Sequence, residues 1–365
     1  MSARRTLLIP LIVASLLCSG FGPAAITESD LARRPVTPSQ LRAWRMDRCP
    51  AIGAEAYIVV SPTTGQILCA HNEHERRAPA SLVKIVTALV TLEHNRQDEK
   101  VMVQWMDITT YSVTRLLRGE TYSLRELLMA LLVPSDNAAA LTIARHVAGN
   151  TSTFVTWMNE YVTRLGLTDT HFGNPHGLDD PEGYSTAYEL AILARHAMSN
   201  PSFADFVGRS AAIVGDYLWP STNLLYGEYP GVKGVKTGTT DEAGQCFISY
   251  IDRPQGAVMT VVLGSEDRFT DTKTLLNYYY ASFAEVRIDL PENDQNRYLD
   301  EEHNWHTLYL EAPVTLLVHP SDARSVSFYR RIDDPTTSPV AGRPVGVLVV
   351  TLDGAVLTEL PMYAR

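Results

Sequence analysis

Apolar positions at Leu82, Ile85, Val86, Leu89 and Val90 recur at helical spacing and predict a buried helix from about Ala80 to Glu93. Before it, Ala56 to Val60 and Gln66 to Ala70 are short β-rich runs joined by Ser61-Pro-Thr-Thr-Gly65, the pattern of a hairpin. After it the chain turns helical. Ser123-Leu-Arg-Glu126 has capping-box spacing and opens a helix from Leu124 to Val133 that Pro134 stops. Ala138 to Ala148 follows, closed by Gly149, and Ser152 to Leu165, closed by Gly166. Leu167 to Tyr184 is a loop, and Thr186-Ala-Tyr-Glu189 caps a helix running to Met198. Strands return at Val232 to Lys236, Cys246 to Ile251 and Ala257 to Leu263, then a helix at Thr272 to Ala284. Strands at both ends of a helical block indicate an α+β domain whose sheet draws on both ends. From Val286 onward the runs Thr307 to Leu310, Val314 to Val318, Val326 to Tyr329, Val345 to Thr351 and Ala355 to Glu359 predict a small all-β module.

Composition narrows the functional classes. The hydrophobic share of 45% and charged share of 20% fit a globular core, and the net charge of −10 without Lys/Arg clusters argues against nucleic-acid binding. Arg4 and Arg5, the apolar run Leu7 to Leu17 and the small residues from Gly20 to Ala25 read as a secretory signal, with an uncleaved anchor as the alternative. No later run is long and apolar enough to span a bilayer. The organisation expected is a signal peptide at 1–25, an arm at 26–50, the α+β domain at 51–286 and the β module at 287–365. Export permits a disulfide, and Cys49 with Cys69 is the favoured pair, leaving Cys246 free. No Cys or His cluster has zinc spacing, so neither metal nor cofactor is expected.

Three polar clusters stand in order: Ser81-x-x-Lys84, Ser135-Asp136-Asn137 and Lys236-Thr237-Gly238, the last at a strand end. Residues three apart on a helix share a face, so Lys84 lies within reach of the Ser81 hydroxyl. A buried lysine is costly unless it is partnered or neutral, and a neutral amine beside a hydroxyl is a general base for a nucleophile. Each cluster alone has a bland reading. Ser135 suits a helix N-cap, Lys236-Thr237 an ordinary strand end, Asp136 a first-turn acid, and His176 a hydrogen-bonded loop residue outside the site. The ordered trio is the motif set of penicillin-binding proteins and class A β-lactamases.

The chain resembles the low-molecular-mass penicillin-binding proteins, serine-type D-alanyl-D-alanine carboxypeptidases, over roughly Ala54 to Leu360. The likeness rests on Arg77 to Ala88 around the nucleophile, Asn174-Pro-His-Gly-Leu-Asp179, Tyr184 to Ala187, Gly234 to Thr240 with Ala243-Gly244, and Ser338 to Gly346. It implies a β-lactamase/transpeptidase-like domain with an antiparallel sheet, followed by the β module. In the chemistry expected, Ser81 becomes acylated, Lys84 takes its proton, and Ser135 relays a proton to the leaving amine. Burial and repulsion from Lys236 lower the pKa of Lys84. Asn137 donates its amide to Lys84 or to the substrate backbone. Lys236, Thr237 and Thr239 face the substrate carboxylate, and Gly238 lets an extended substrate approach the strand. The resemblance also implies an oxyanion hole from the N–H groups of Ser81 and Thr239. Arg268 is weighed both as a carboxylate contact and as solvated charge.

These expectations define partners: a peptidoglycan stem peptide ending in D-Ala-D-Ala, and β-lactams as covalent inhibitors. Membrane contact is expected solely through an uncleaved N-terminus, because the chain stops at Arg365 directly after strands, without an amphipathic helix. A class A-like β-lactamase is the near rival. It needs a glutamate in a Glu-x-x-x-Asn pattern, and no Asn lies four residues after Glu182. An endopeptidase remains an alternative within the cell-wall class, and an inactive wall-binding or β-lactam-sensing module stands as the non-enzyme reading.

Overall fold

The computed structural model describes residues 49–365 apart from 64, 95, 109–113, 292, 294 and 335–337. The signal-peptide reading and all but the last two residues of the arm lie outside the described residues. Two compact units divide the described chain, one running to Tyr279 and the other from Tyr280 to Arg365.

In the first unit the strands are β1 (Ala56–Val60), β2 (Ile67–His71), β3 (Lys100–Met102), β4 (Thr121–Ser123), β5 (Ala211–Val214), β6 (Tyr217–Pro220), β7 (Val232–Thr240), β8 (Gly244–Arg253) and β9 (Gly256–Ser265). The helices are α1 (Lys84–His94), α2 (Leu124–Leu132), α3 (Asn137–Ala148), α4 (Thr151–Arg164), α5 (Ala187–Met198), α6 (Pro201–Val207) and α7 (Arg268–Ser282). The main sheet has the order β2-β1-β9-β8-β7 with antiparallel pairing throughout, so it gathers its strands from both ends of the unit. β7 is an edge strand, with one row of backbone groups left for another partner. Helix α1 is buried from Lys84 to Thr91 and packs against α2, α3, α4 and α5, while α5 covers β1 and β9. An all-round apolar helix is stable in such a place because each fully buried Leu or Ile contributes roughly 1.5–3 kcal/mol.

The helix expected from Ala80 begins differently. Ala80–Val83 forms a 3₁₀ turn and the α-helix starts at Lys84. The cause lies just upstream: Ala80 takes φ +48°, which no α-helical residue can. The Ser123 capping box forms as read, with Ser123 accepting from Glu126 N–H. Gly149 takes φ +78° after α3. Cys49 and Cys69 are joined, tying the start of the described chain to β2, and Cys246 is free and buried.

The second unit is all-β. β10 (Ala284–Ile288) pairs with β13 (Val314–Val318). A five-stranded sheet has the order β11 (Arg297–Leu299), β12 (Trp305–Tyr309), β16 (Ala355–Ala364), β15 (Gly346–Leu352), β14 (Val326–Ile332). Its own core includes Leu308, Leu316, Val318, Leu348, Val350 and Met362.

Candidate active site

Three segments converge on the amine of Lys84, whose side chain is fully buried. Its Nζ lies 2.7 Å from Ser81 Oγ and 2.7 Å from Asn137 Oδ1, and it donates to the backbone oxygen of His176. A neutral amine has two N–H donors and one lone pair. The two carbonyl acceptors, Asn137 Oδ1 and His176 O, match the two donors. When protonated, Nζ also donates to Ser81 Oγ, whose own hydroxyl lies 3.5 Å from the His176 carbonyl. Burial lowers the pKa of Lys84 to about 7, with the Asp136 carboxylate pulling the other way.

The 3₁₀ turn sets the position of Ser81, and two glycines let neighbouring segments close on it. Gly177 has φ +83°, and a Cβ there would overlap the Ala80 carbonyl. Gly238 on β7 lies so close that a Cβ would come within 2.9 Å of both the Ser81 nitrogen and the Ala80 Cβ. Besides any clearance for substrate, the absence of a Cβ at Gly238 leaves room for the turn that carries Ser81.

The loop carrying His176 is held by its own side chains. Asn174 Oδ1 accepts from Gly177 N–H at 2.6 Å, Asn174 Nδ2 donates to Leu178 O at 3.0 Å, and Thr87 donates to Pro175 O at 2.7 Å. His176 Nδ1 accepts from Leu178 N–H at 3.2 Å, and burial followed by the Lys84 charge lowers its pKa to about 4, so its ring is neutral near pH 7.

Ser135 is not the N-cap of α3. Asp136 is, accepting from Ala139 N–H at 2.8 Å. Ser135 itself sits at φ +68°, a strained conformation for a non-glycine residue. Asn137 departs from expectation in orientation: it presents its carbonyl oxygen, not its amide N–H, to Lys84.

Lys236, 1% exposed, donates to the Thr237 carbonyl at 2.9 Å. Its pKa is held well below the ordinary lysine range by burial, then by the charges of Lys84 and Arg268. Burial is the main cause for both amines, and the repulsion between them disfavours carrying a proton on both at once. Lys84 has two carbonyl acceptors and the Asp136 charge to support a proton; among the described residues Lys236 has one carbonyl, that of Thr237. The Thr237 and Thr222 hydroxyls are hydrogen-bonded. Thr239 Oγ1 accepts from Arg268 Nη2 at 2.7 Å, and Arg268 Nη1 donates to the carbonyls of Gly238 and Cys246.

Ser81, Lys84 and Asn137 thus meet directly, Gly238 packs against the turn that carries Ser81, and Lys236 couples to Lys84 through its charge. Thr237 and Thr239 are tied to Thr222 and Arg268, while Ser135, two residues before Asn137, makes no side-chain hydrogen bond to Ser81 or Lys84 among the described residues. The His176 carbonyl was missed because a backbone acceptor leaves no trace in side-chain chemistry, although the Asn174-Pro-His-Gly run marked a constrained loop. Thr222 carried no signal. Arg268 had one, a cation just after the last core strand. Among the described residues no group of three or more His, Cys, Asp or Glu is placed to hold a metal ion.

Comparison with known proteins identifies the family. Residues 44–267 match the family model described as D-alanyl-D-alanine carboxypeptidase. The chain is 27% identical to D-alanyl-D-alanine carboxypeptidase DacF of Bacillus subtilis, over 99% of this chain and 94% of that protein. It is 34% identical to DacD of Salmonella typhimurium over 66% of each. Penicillin-binding protein 5 of Haemophilus influenzae superposes with a TM-score of 0.77 at 26% identity, covering 87% of this chain and 98% of that one. A Streptomyces K15 DD-transpeptidase is matched over 100% of its length by 64% of this chain, at 31% identity and a TM-score of 0.61. The chain therefore belongs to the D-alanyl-D-alanine carboxypeptidase family and is a serine-type D-Ala-D-Ala carboxypeptidase, acting on peptidoglycan peptides and acylated by penicillin.

Proposed function

We propose that Ser81 is the nucleophile and Lys84 its general base, in a reaction that removes the terminal D-alanine of a pentapeptide stem. Ser81 Oγ attacks the carbonyl of the penultimate D-alanine while its proton passes to Lys84 Nζ. The N–H groups of Ser81 and Thr239 stabilise the oxyanion. The proton moves from Lys84 through the Ser135 hydroxyl to the departing amine, the C–N bond breaks, and D-alanine leaves. Water then attacks the ester, giving its proton to Lys84; the C–Oγ bond breaks and Ser81 recovers its hydrogen. Lys236, Thr237 and Thr239 face the substrate carboxylate, with Arg268 orienting the Thr239 hydroxyl. Asn137, its oxygen engaged by Lys84, turns its amide nitrogen to the substrate backbone. An extended peptide docks along the open edge of β7.

The observation that carries this reading is the 2.7 Å contact between Ser81 Oγ and a fully buried Lys84 Nζ that Asn137 Oδ1 and the His176 carbonyl also hold. The catalytic role is assigned to the unit that ends at Tyr279; the expected boundary at 286 falls inside β10, which pairs within the β module. The Cys49–Cys69 bridge supports maturation in an oxidising, extracytoplasmic compartment, with 1–25 as leader or N-terminal tether. Intact-mass spectrometry after incubation with penicillin tests the mechanism: wild type gains one acyl adduct on Ser81 and Ser81→Ala gains none. An unlabelled wild type favours the non-enzyme module, and rapid turnover of a chromogenic cephalosporin favours the β-lactamase.

A further inference from the structure

The carboxylate of Asp136 is 3% exposed and lies between Ser135 and Asn137. One oxygen, Oδ1, caps α3 through Ala139 N–H. The other, Oδ2, is buried and makes no hydrogen bond among the described residues, although the Thr114 hydroxyl and the Ala138 amide approach the group. Capping alone does not call for a charge here. Asn and Ser cap as well as Asp, and a neutral cap avoids the cost of burying a carboxylate with one oxygen unpartnered. The next residue along the chain, Asn137, binds Lys84 Nζ, so the acid stands beside the amine that starts the reaction.

We infer that Asp136 is a positioning residue whose buried negative charge acts on Lys84 and sets where on the pH scale the enzyme switches on. The inference rests on the reading of Lys84 as general base. Among the described residues, the charged and titratable groups that act on this centre come from several elements. Lys84 comes from α1, Asp136 from the cap of α3, Lys236 from β7 and Arg268 from α7, while His176, itself faced by Asp180, comes from the loop. His176 is neutral near pH 7, and Lys236 and Arg268 are bases. Asp136 is the acid whose charge falls on Lys84, opposing the burial that drives off its proton. The effect is reciprocal: burial raises the pKa of Asp136, and contacts with Thr114 and the Ala139 amide, then the Lys84 charge, draw it back down. A base too easily deprotonated is also a poor proton acceptor. The carboxylate therefore supports the ammonium that forms when Ser81 gives up its proton.

The test is the rate of acylation of the full chain by a fluorescent penicillin across the neutral range, for wild type, Asp136→Asn and Asp136→Ala. The asparagine keeps the cap and removes the charge; the alanine removes both. We expect the acid limb of both variants to lie lower than wild type by roughly one pH unit, the effect of one nearby charge, with a plateau reduced roughly threefold. The alanine variant alone loses thermal stability. A wild-type limb that Asp136→Asn leaves in place overturns the inference while the base reading stands. A shift confined to Asp136→Ala overturns it too, by tracing the effect to cap geometry. A wild-type profile with no acid limb overturns the base reading and this inference with it.

Discussion

Lys84 is a residue placed against its own solvation preference. Its pKa of about 7 in the folded chain compares with about 10.4 for a free lysine side chain, and burial is the cause. Two consequences follow at this scale. Acylation needs the neutral amine, so its rate rises with pH through about 7, which a pH profile of penicillin labelling checks. Between that value and about 10.4 the folded state binds fewer protons at this site than the unfolded state, so stability contributed by the group rises with pH. The denaturation midpoint of wild type should climb relative to Lys84→Met across that window. Gly177→Ala tests the packing of the nucleophile turn. It forces a side chain into φ +83° and onto the Ala80 carbonyl, and should cost roughly 2 kcal/mol or more while abolishing acylation. Much of the site was legible at this level because Ser81, Lys84 and Asn137 act through side chains at fixed spacings. The His176 carbonyl and the true clash at Gly238 were not legible. Both depend on backbone atoms that approach from far along the chain.

Elements determine how rigidly those residues are held. The 3₁₀ segment Trp105–Asp107 is tied to α3 by a bidentate pair: Arg145 donates to both oxygens of Asp107 at 2.9 and 2.7 Å, with Asp107 2% exposed. Asp107→Ala leaves a partly buried guanidinium with the Met102 carbonyl but without its counter-charge, and should lower stability by about 3 kcal/mol, read by chemical denaturation. Strongly periodic elements such as α2 and β9 were readable from sequence. The hairpin β5–β6 was not, because Ile213, Tyr217 and Leu218 are apolar yet exposed, which erases the alternation that marks a strand. Helix α7 starts at Arg268, before the expected Thr272, because Asp267 accepts from Thr270 N–H at 3.1 Å and from its hydroxyl at 2.7 Å.

On the scale of the whole molecule, each unit buries a core of its own, and the residues of the candidate site all belong to the first. The Streptomyces transpeptidase is matched over its full length by part of this chain, so a comparable fold exists at that smaller size. A chain ended shortly after α7 should therefore be acylated by penicillin at a rate within about a factor of three of the full chain. The covalent link between Cys49 and Cys69 closes a loop with a sequence separation of 20. Its removal by Cys49→Ser with Cys69→Ser should lower stability by about 3 kcal/mol, measured as a shift in the unfolding midpoint. The α+β organisation was visible from sequence because strand signals bracket the helices. The edge position of β7 was not, since strand order depends on pairing between segments remote in the chain.

The contact between β7 and the nucleophile turn also constrains how drug resistance can evolve. With a Cβ at Gly238 reaching within 2.9 Å of Ser81 N, a mutation there that obstructs a β-lactam also displaces the serine that serves the natural peptide. Selection for escape would thus find this position closed.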